Sequence, residues 1–273
     1  MHVEAAASAR KPVTIPALLA MKSHGEKIAM LTCYDASFAA QIEAAGVDVA
    51  LVGDSLGMVV QGRRNTLPVT LDEMAYHTRS VAQALDNALL VADLPYMSYR
   101  DVEHARAAAA RLIGDCGAAM VKLEGAGWVC GIISDLVARE APVCAHLGLT
   151  PQAVHRLGGY KVQGRGQDAA ERLFADALAV QDAGAEMLVL EAVPAELAAR
   201  ITRALAIPVI GIGAGAACDG QVLVLYDMLG ITPGKRPKFS KDFLGEAGSV
   251  PAALRAYVEA VRQGRFPAAE HVY

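Results

Sequence analysis

The sequence predicts an α/β fold, a (β/α)8 TIM barrel with an N-terminal helix before the first strand and an additional C-terminal helix after the last. Three observations carry this. Eight short runs rich in Val, Ile and Leu recur along the 273 residues. The runs are continuous rather than alternating, as expected of parallel strands buried on both faces. Ala-rich segments with helical spacing lie between them, which favours a closed barrel over a doubly wound sheet.

The elements follow in order. Ile15–His24 reads as a helix placed to close the barrel floor. The strands are Ile28–Thr32, Val49–Gly53, Leu89–Ala92, Met120–Leu123, Val143–His146, Met187–Leu190, Val209–Ile212 and Val222–Leu225. The intervening helices are Ser37–Ala45, Leu71–Ala84, Val102–Cys116, Ile132–Arg139, Ala169–Ala183 and Pro194–Ala204, and Val250–Gly264 forms the last, amphipathic one. Thr70 with Glu73 is a capping-box pattern. Gly46, Gly117 and Gly184 each follow a helix and precede a strand, where a left-handed cap is wanted. About ten residues separate the seventh and eighth strands, so that unit has a short helix or none. Residues 1–14 read as a flexible extension, and 15–273 as one catalytic domain.

Hydrophobic residues make up 54% of the chain and the formal net charge is −4, which excludes disorder as the main state and argues against nucleic-acid backbone binding. The basic cluster Lys235, Arg236, Lys238 and Lys241 reads as a solvated loop. Five cysteines, at 33, 116, 130, 144 and 218, include no C-x-x-C pair, so reduced, mostly buried thiols are expected rather than a disulfide framework or structural zinc. The N-terminal stretch lacks the apolar core of a secretory signal. No apolar run reaches the roughly 18–20 residues of a membrane span. A cytoplasmic protein is expected.

Active residues of such barrels sit where strands end. The strand ends here supply Thr32, Tyr34 and Asp35; Gly53, Asp54 and Ser55; Asp93 and Pro95; Lys122 and Glu124; His146; Glu191; and Gly211 to Gly215. Asp54, Asp93, Glu124 and Glu191 all end or interrupt apolar runs and converge on one rim. Four such carboxylates repel one another and need a cation or protons to coexist. Oxygen ligands without a Cys or His cluster point to Mg²⁺, with Mn²⁺ as the alternative. Lys122 and Glu124, two apart on one strand, share a face, while Leu123 faces the helices. Beside Glu124 the lysine should stay protonated, which favours a fixed cation over a Schiff-base former. His146 alone reads equally as a core side chain or a functional one.

Two glycine runs complete the survey. Gly164-x-Gly166-x-x-Ala169 has no preceding strand and is not a dinucleotide fingerprint. Gly211-x-Gly213-x-Gly215 follows a strand, and two readings stay open: a phosphate cradle, or close passage of backbone past a substrate. Trp128, in a Gly-rich loop after strand four, either walls the pocket or packs beneath the loop.

Longer motifs then point further. Leu51-Val-Gly-Asp-Ser-Leu-Gly-Met58, Gln61-Gly and Thr66-Leu-Pro-Val-Thr70 closely resemble the ketopantoate hydroxymethyltransferase family. Ala92-Asp-Leu-Pro95, Met120-Val-Lys-Leu-Glu-Gly125, His146-Leu-Gly-Leu-Thr-Pro-Gln152 and Gly158-Gly-Tyr-Lys-Val-Gln-Gly-Arg-Gly166 agree. So do Leu188-Val-Leu-Glu191, Ile207-Pro-Val-Ile-Gly-Ile-Gly-Ala-Gly215 and Asp219-Gly-Gln221. Departures are confined to Arg63 and Arg64, Ala145, Ala216 to Cys218, and the N-terminal extension.

The resemblance implies a barrel of the phosphoenolpyruvate/pyruvate type, Mg²⁺-dependent and commonly a homodecamer. It implies transfer of a hydroxymethyl group from the co-substrate 5,10-methylenetetrahydrofolate to 3-methyl-2-oxobutanoate, giving 2-dehydropantoate for pantothenate and coenzyme A. Carried over by motif, Asp54, Asp93 and Glu124 hold the metal, directly or through water. Asp54, Ser55, Asp93 and Lys122 meet the keto acid, and Glu191 is the proton acceptor, with His146 the next candidate. The chemistry matches: a metal-stabilised enolate lets a separate carboxylate remove the weakly acidic C3 proton. One rival is an isocitrate-lyase-like enzyme, against which stands the absence of a Lys-Lys-Cys-Gly-His loop. The other is a non-catalytic barrel binding a phosphorylated ligand at Gly211–Gly215.

Overall fold

A computed structural model describes residues 10–234 and 236–273. Eight parallel strands close a barrel in sequence order. They are β1 Ile28–Thr32, β2 Val49–Val52, β3 Leu89–Asp93, β4 Met120–Glu124, β5 Val143–Gly148, β6 Met187–Glu191, β7 Val209–Ile212 and β8 Gly220–Leu223.

Four strands run past their predicted ends. Asp93, Glu124 and Glu191 continue the inward alternation of their strands instead of terminating it, and β5 runs two residues beyond His146 to Gly148. Register then juxtaposes the chemistry: Asp93 lies opposite Lys122, Glu124 opposite His146, and Gly148 opposite Glu191. Gly148 has φ +88, and a Cβ there would meet the Glu191 carbonyl and lie 2.7 Å from Val193.

β8 corrects the prediction, starting two residues before Val222. Gly220 pairs with Ile28 to close the ring. A Cβ on Gly220 would collide with the Ile28 carbonyl and lie 2.7 Å from Ile210, so this closure admits only glycine. Gln221, a polar residue the apolar-run criterion passes over, is buried and donates its amide to Gly215 O at 3.0 Å. No helix joins β7 to β8; residues 213–219 form turns.

Alternate strand residues fill the barrel with an apolar plug that includes Met30, Leu51, Val91, Met120, Cys144, Val189 and Ile210. Leu18 of the helix Ile15–His24 joins it from below, as the floor reading requires. Each such side chain contributes about 1.5–3 kcal/mol on burial. The plug leaves polar inward side chains only the layer above it. Lys22 of the floor helix meets Asp219 at 2.5 Å, and Asp219 accepts from Val209 N at 2.8 Å.

The outer helices Ala36–Ala45, Leu71–Ala82, Gln167–Asp182 and Ala195–Ala204 lie within about two residues of expectation. Thr70 and Glu73 form the predicted capping box, and Asp35 caps its helix by accepting from Phe38 N at 2.9 Å. The fourth outer helix, Trp128–Val137, starts four residues before Ile132, so Trp128 opens a helix rather than sitting in a loop. Val102–Ala109 continues as a π-helical turn, Ala110–Asp115. The last helix, Val250–Arg262, places the buried Tyr257 hydroxyl between Met30 O and Gln221 O, at 2.8 and 2.9 Å. It therefore staples β1 to β8 at the closure.

Of the expected N-terminal extension, residues 1–9 lie outside the described residues. Val13 N donates to Asn87 O at 2.7 Å, and Arg10 bonds Val47 O at 2.7 Å, which ties this segment to the floor. Lys235 of the basic cluster also lies outside the described residues. Lys241 pairs with Glu246 at 2.9 Å, and Lys238 donates to Val272 O at 2.5 Å. All five cysteines are free thiols. Among the described residues, no helix is long and apolar enough to cross a membrane.

Candidate active site

The strand ends assemble one buried polar cluster above the apolar plug. Asp54, Asp93, Lys122, Glu124 and His146 are all under 8% exposed. Lys122 Nζ lies 2.6 Å from Asp93 Oδ1. His146 bridges two acids, with Nδ1 at 3.4 Å from Glu124 Oε1 and Nε2 at 3.2 Å from Glu191 Oε2. Every site residue expected from the sequence except Ser55 therefore falls in this cluster or on its edge. Ser55 stands beside it, its hydroxyl 2.8 Å from Tyr34 OH. A Cβ on Gly53 would lie 2.8 Å from Ser55 Oγ and 3.5 Å from Asp93 Oδ2, so glycine keeps this corner open.

The carboxylates share a pattern. Asp93 Oδ2 accepts from Asp54 N at 3.0 Å. Asp54 Oδ2 accepts from Gln152 Nε2 at 2.9 Å, and Glu124 Oε2 from Gln152 N at 2.9 Å. One oxygen of each of these three acids is held by an N–H donor, and the other oxygens of Asp93 and Glu124 face Lys122 and His146. Gln152 and its neighbour Tyr99 are uncharged and lie off the strand ends, so charge at strand ends does not mark them. The Pro151-Gln152 end of the His146 motif was the available signal.

Charge sets the protonation states. Burial opposes the Lys122 charge, but Asp93, Glu124 and Asp54 outweigh it and hold the ammonium well above the ordinary lysine range. Burial, followed by Asp93 and Glu124, pushes the Asp54 carboxyl well above its usual range. Burial and Lys122 depress His146, yet its bonds to Glu124 and Glu191 carry it up to about 9. Lys122 Nζ also lies 3.4 Å from His146 Nδ1, a bond that a protonated imidazole cannot accept. Asp93 at 2.6 Å is the better acceptor for Lys122, which leaves Nδ1–H to Glu124. Four carboxylates then face one lysine and one imidazolium, so negative charge remains uncompensated.

Other strand-end residues have different work. Thr32 Oγ1 accepts from Leu225 N at 2.9 Å, and Asp35 is the helix cap already described. Both open readings of the Gly211–Gly215 run give way to a third. A Cβ on Gly211 would lie 2.9 Å from Cys218 Sγ, on Gly213 3.0 Å from Phe239, and on Gly215 2.8 Å from Ala195. The glycines admit this chain's own side chains. Trp128 is 63% exposed and stacks one face on Tyr99, with centroids 6.3 Å apart and planes at 14°. Surface hollows of about 170 and 350 Å³ open at the opposite, floor end, lined by residues such as Val13 and Asn87, away from this chemistry.

Fold and site together define a (β/α)8-barrel enzyme whose charged residues sit at the strand ends. The barrel superposes on phosphoenolpyruvate phosphomutase from Streptomyces platensis subsp. rosaceus with a TM-score of 0.61 at 17% identity, covering 79% of this chain and 82% of that one. Residues 12–269 match the ketopantoate hydroxymethyltransferase family. The chain is 61% identical over 264 residues to 3-methyl-2-oxobutanoate hydroxymethyltransferase of Xanthomonas axonopodis pv. citri, covering 96% of this chain and 97% of the relative. It is 58% identical over 266 residues to the enzyme of the same name from Ralstonia nicotianae, covering 97% of each. The chain belongs to the ketopantoate hydroxymethyltransferase family.

Proposed function

We propose that the protein transfers a hydroxymethyl group from 5,10-methylenetetrahydrofolate to 3-methyl-2-oxobutanoate, forming 2-dehydropantoate in the cytoplasm for pantothenate and coenzyme A synthesis. The observation that carries this for the site is the register-matched array Asp93–Lys122 and Glu124–His146–Glu191 inside a family-wide sequence match.

A divalent cation fits the mouth. Of the described residues, only Lys122 and His146 stand against four acids, and Asp93 and Glu124 act with burial to raise Asp54, so the oxygen-rich mouth carries excess negative charge that a hard cation would offset. Among the described residues no three His, Cys, Asp or Glu groups form a ready-made cage. That suits Mg²⁺, which keeps several waters and takes one or two carboxylates. Asp54 and Asp93 would hold it, with Glu124 acting through water. When bound, the cation supplies positive charge at the keto oxygen as the C3 proton leaves.

The chain's own residues do the rest. Lys122, fixed by Asp93, offers a permanent cation to the anionic keto acid, and Ser55 offers a hydroxyl at the open Gly53 corner. Glu191, on a separate strand, takes the C3 proton. His146 is charged at neutral pH and therefore a poor acceptor, so it positions Glu191 at 3.2 Å instead. Water hydrolyses the one-carbon unit from 5,10-methylenetetrahydrofolate as formaldehyde and releases tetrahydrofolate. The C3 carbon adds to the formaldehyde carbon, and the alkoxide formed takes up a proton to become the hydroxymethyl group. Assembly as a homodecamer accompanies this reading, and exposed Tyr76, Tyr96 and Met97 give such an assembly apolar surface to bury.

The test is direct. Purified protein with both substrates and Mg²⁺ should form 2-dehydropantoate, followed by mass spectrometry, and EDTA should abolish it. Failure to form it at any Mg²⁺ or Mn²⁺ concentration would refute the assignment.

A further inference from the structure

We infer that Gln152 and Tyr99 form a positioning pair that fixes which oxygen of Asp54 faces the cation. The inference rests on the reading of Asp54 as a metal-holding residue.

Gln152 lies on the turn Pro151–Ala153, just after β5, and is buried. Its amide nitrogen donates to Asp54 Oδ2 at 2.9 Å and to Leu94 O at 3.0 Å. Its amide oxygen accepts from Tyr99 OH at 2.6 Å. Its backbone N–H holds Glu124 Oε2 at 2.9 Å. One residue of the β5 loop thus ties down the ends of β2, β3 and β4.

The direction of each bond is forced. A side-chain amide can turn over, exchanging its oxygen and nitrogen. Turned over here, its oxygen would face two acceptors, the Asp54 carboxylate and the Leu94 carbonyl. Its nitrogen would take the place where Tyr99 donates. Tyr99 OH itself accepts from Glu124 N at 3.4 Å, which aims its proton at Gln152. The relay therefore runs from Glu124 N–H through Tyr99 O–H and the Gln152 amide to Asp54 Oδ2. With Oδ2 so engaged, Oδ1 is the oxygen left for the cation. Both relay residues are neutral, so their influence is on orientation rather than on charge. Tyr99 is held in turn by its stack on Trp128.

The experiment measures Mn²⁺ affinity of the full-length protein without substrates, by the free Mn²⁺ signal in electron paramagnetic resonance. The variants are Gln152→Ala, Tyr99→Phe, their double variant, and Asp54→Asn. Loss of an outer partner of a metal ligand typically costs about 10–100-fold in affinity, which is the expectation for Gln152→Ala. Tyr99→Phe keeps the ring and its stack and removes one hydrogen bond, so a loss of about threefold to tenfold is expected. The double variant should match Gln152→Ala within about twofold, because Tyr99 acts through Gln152. Near-ultraviolet circular dichroism of Trp128, the only tryptophan, checks that the stack persists. Should Gln152→Ala not fold, Tyr99→Phe alone decides. Unchanged affinity in the folded relay variants, with affinity lost in Asp54→Asn, would overturn the relay while leaving the metal site standing. Losses that multiply in the double variant would also overturn it. Wild-type affinity in Asp54→Asn would remove the metal site itself, and the relay with it.

Discussion

Replacing Lys122 by methionine isolates the electrostatic core of the mouth. Methionine keeps most of the stem and removes the charge. The Lys122–Asp93 pair is 2.6 Å long with both side chains about 5% exposed or less. Removing one partner of such a buried pair costs about 3–5 kcal/mol, because the other charge stays buried and unpaired. At roughly 2–4 °C per kcal/mol for a domain of about this size, the melting temperature should fall by about 6–20 °C. Acidification should narrow the gap. Burial, Asp93 and Glu124 already push Asp54 up, and Lys122 is the one charge lowering it. Without Lys122, Asp54 takes up its proton at still higher pH, and the protonated form relieves the repulsion. Equilibrium urea unfolding and thermal melts in EDTA, at pH 5.5 and 7.5, measure both effects. A loss under about 1 kcal/mol at pH 7.5, or a gap that widens on acidification, would show that the Lys122–Asp93 pair does not anchor the charge of the mouth.

Three further outcomes are expected. Gly53→Ala, whose Cβ would crowd Ser55 Oγ at 2.8 Å, should raise KM for the keto acid severalfold with little change in melting temperature; an unchanged KM would show that the corner is not used. His146 has its ordinary value of 6.5 raised to about 9, so its stabilising contribution is complete below 6.5 and is lost as pH rises through about 9. In EDTA, His146→Gln should therefore flatten the decline in melting temperature between pH 7 and 9.5, and an unaltered decline would contradict this. Light scattering at micromolar concentration should give a multiple of the 28.5 kDa chain mass consistent with ten copies, and a monomer mass would reject that assembly.

Most of the barrel is legible in the sequence because continuous apolar runs and glycine caps are local signals. β1 and β7 and the helix Ile15–His24 match residue for residue. The eighth strand is less legible because its closure rests on Gly220 and Gln221, neither of which looks like a buried strand residue. Their fitness comes from Ile28 and Tyr257, distant in sequence. The charged members of the mouth stand out because charge inside an apolar run is conspicuous. Gln152 and Tyr99 do not stand out, since neutral polar residues in loops are ordinary until a structure gives them partners. The Gly211–Gly215 run looked like a ligand loop because sequence records the missing side chains but not Phe239, Cys218 and Ala195, which fill the space.

We propose Glu191 as the group that removes the C3 proton of the keto acid, held in place by His146. Exchange of that hydrogen with solvent deuterium, followed by NMR in the presence of Mg²⁺ and without folate, tests it most directly. Glu191→Gln should slow exchange by about 10²–10⁴-fold, the usual contribution of a general base. Binding of Mg²⁺ and keto acid should change little, because Asp54, Asp93 and Lys122 are untouched. Exchange by the glutamine variant at the wild-type rate would contradict the account and move the base elsewhere in the mouth.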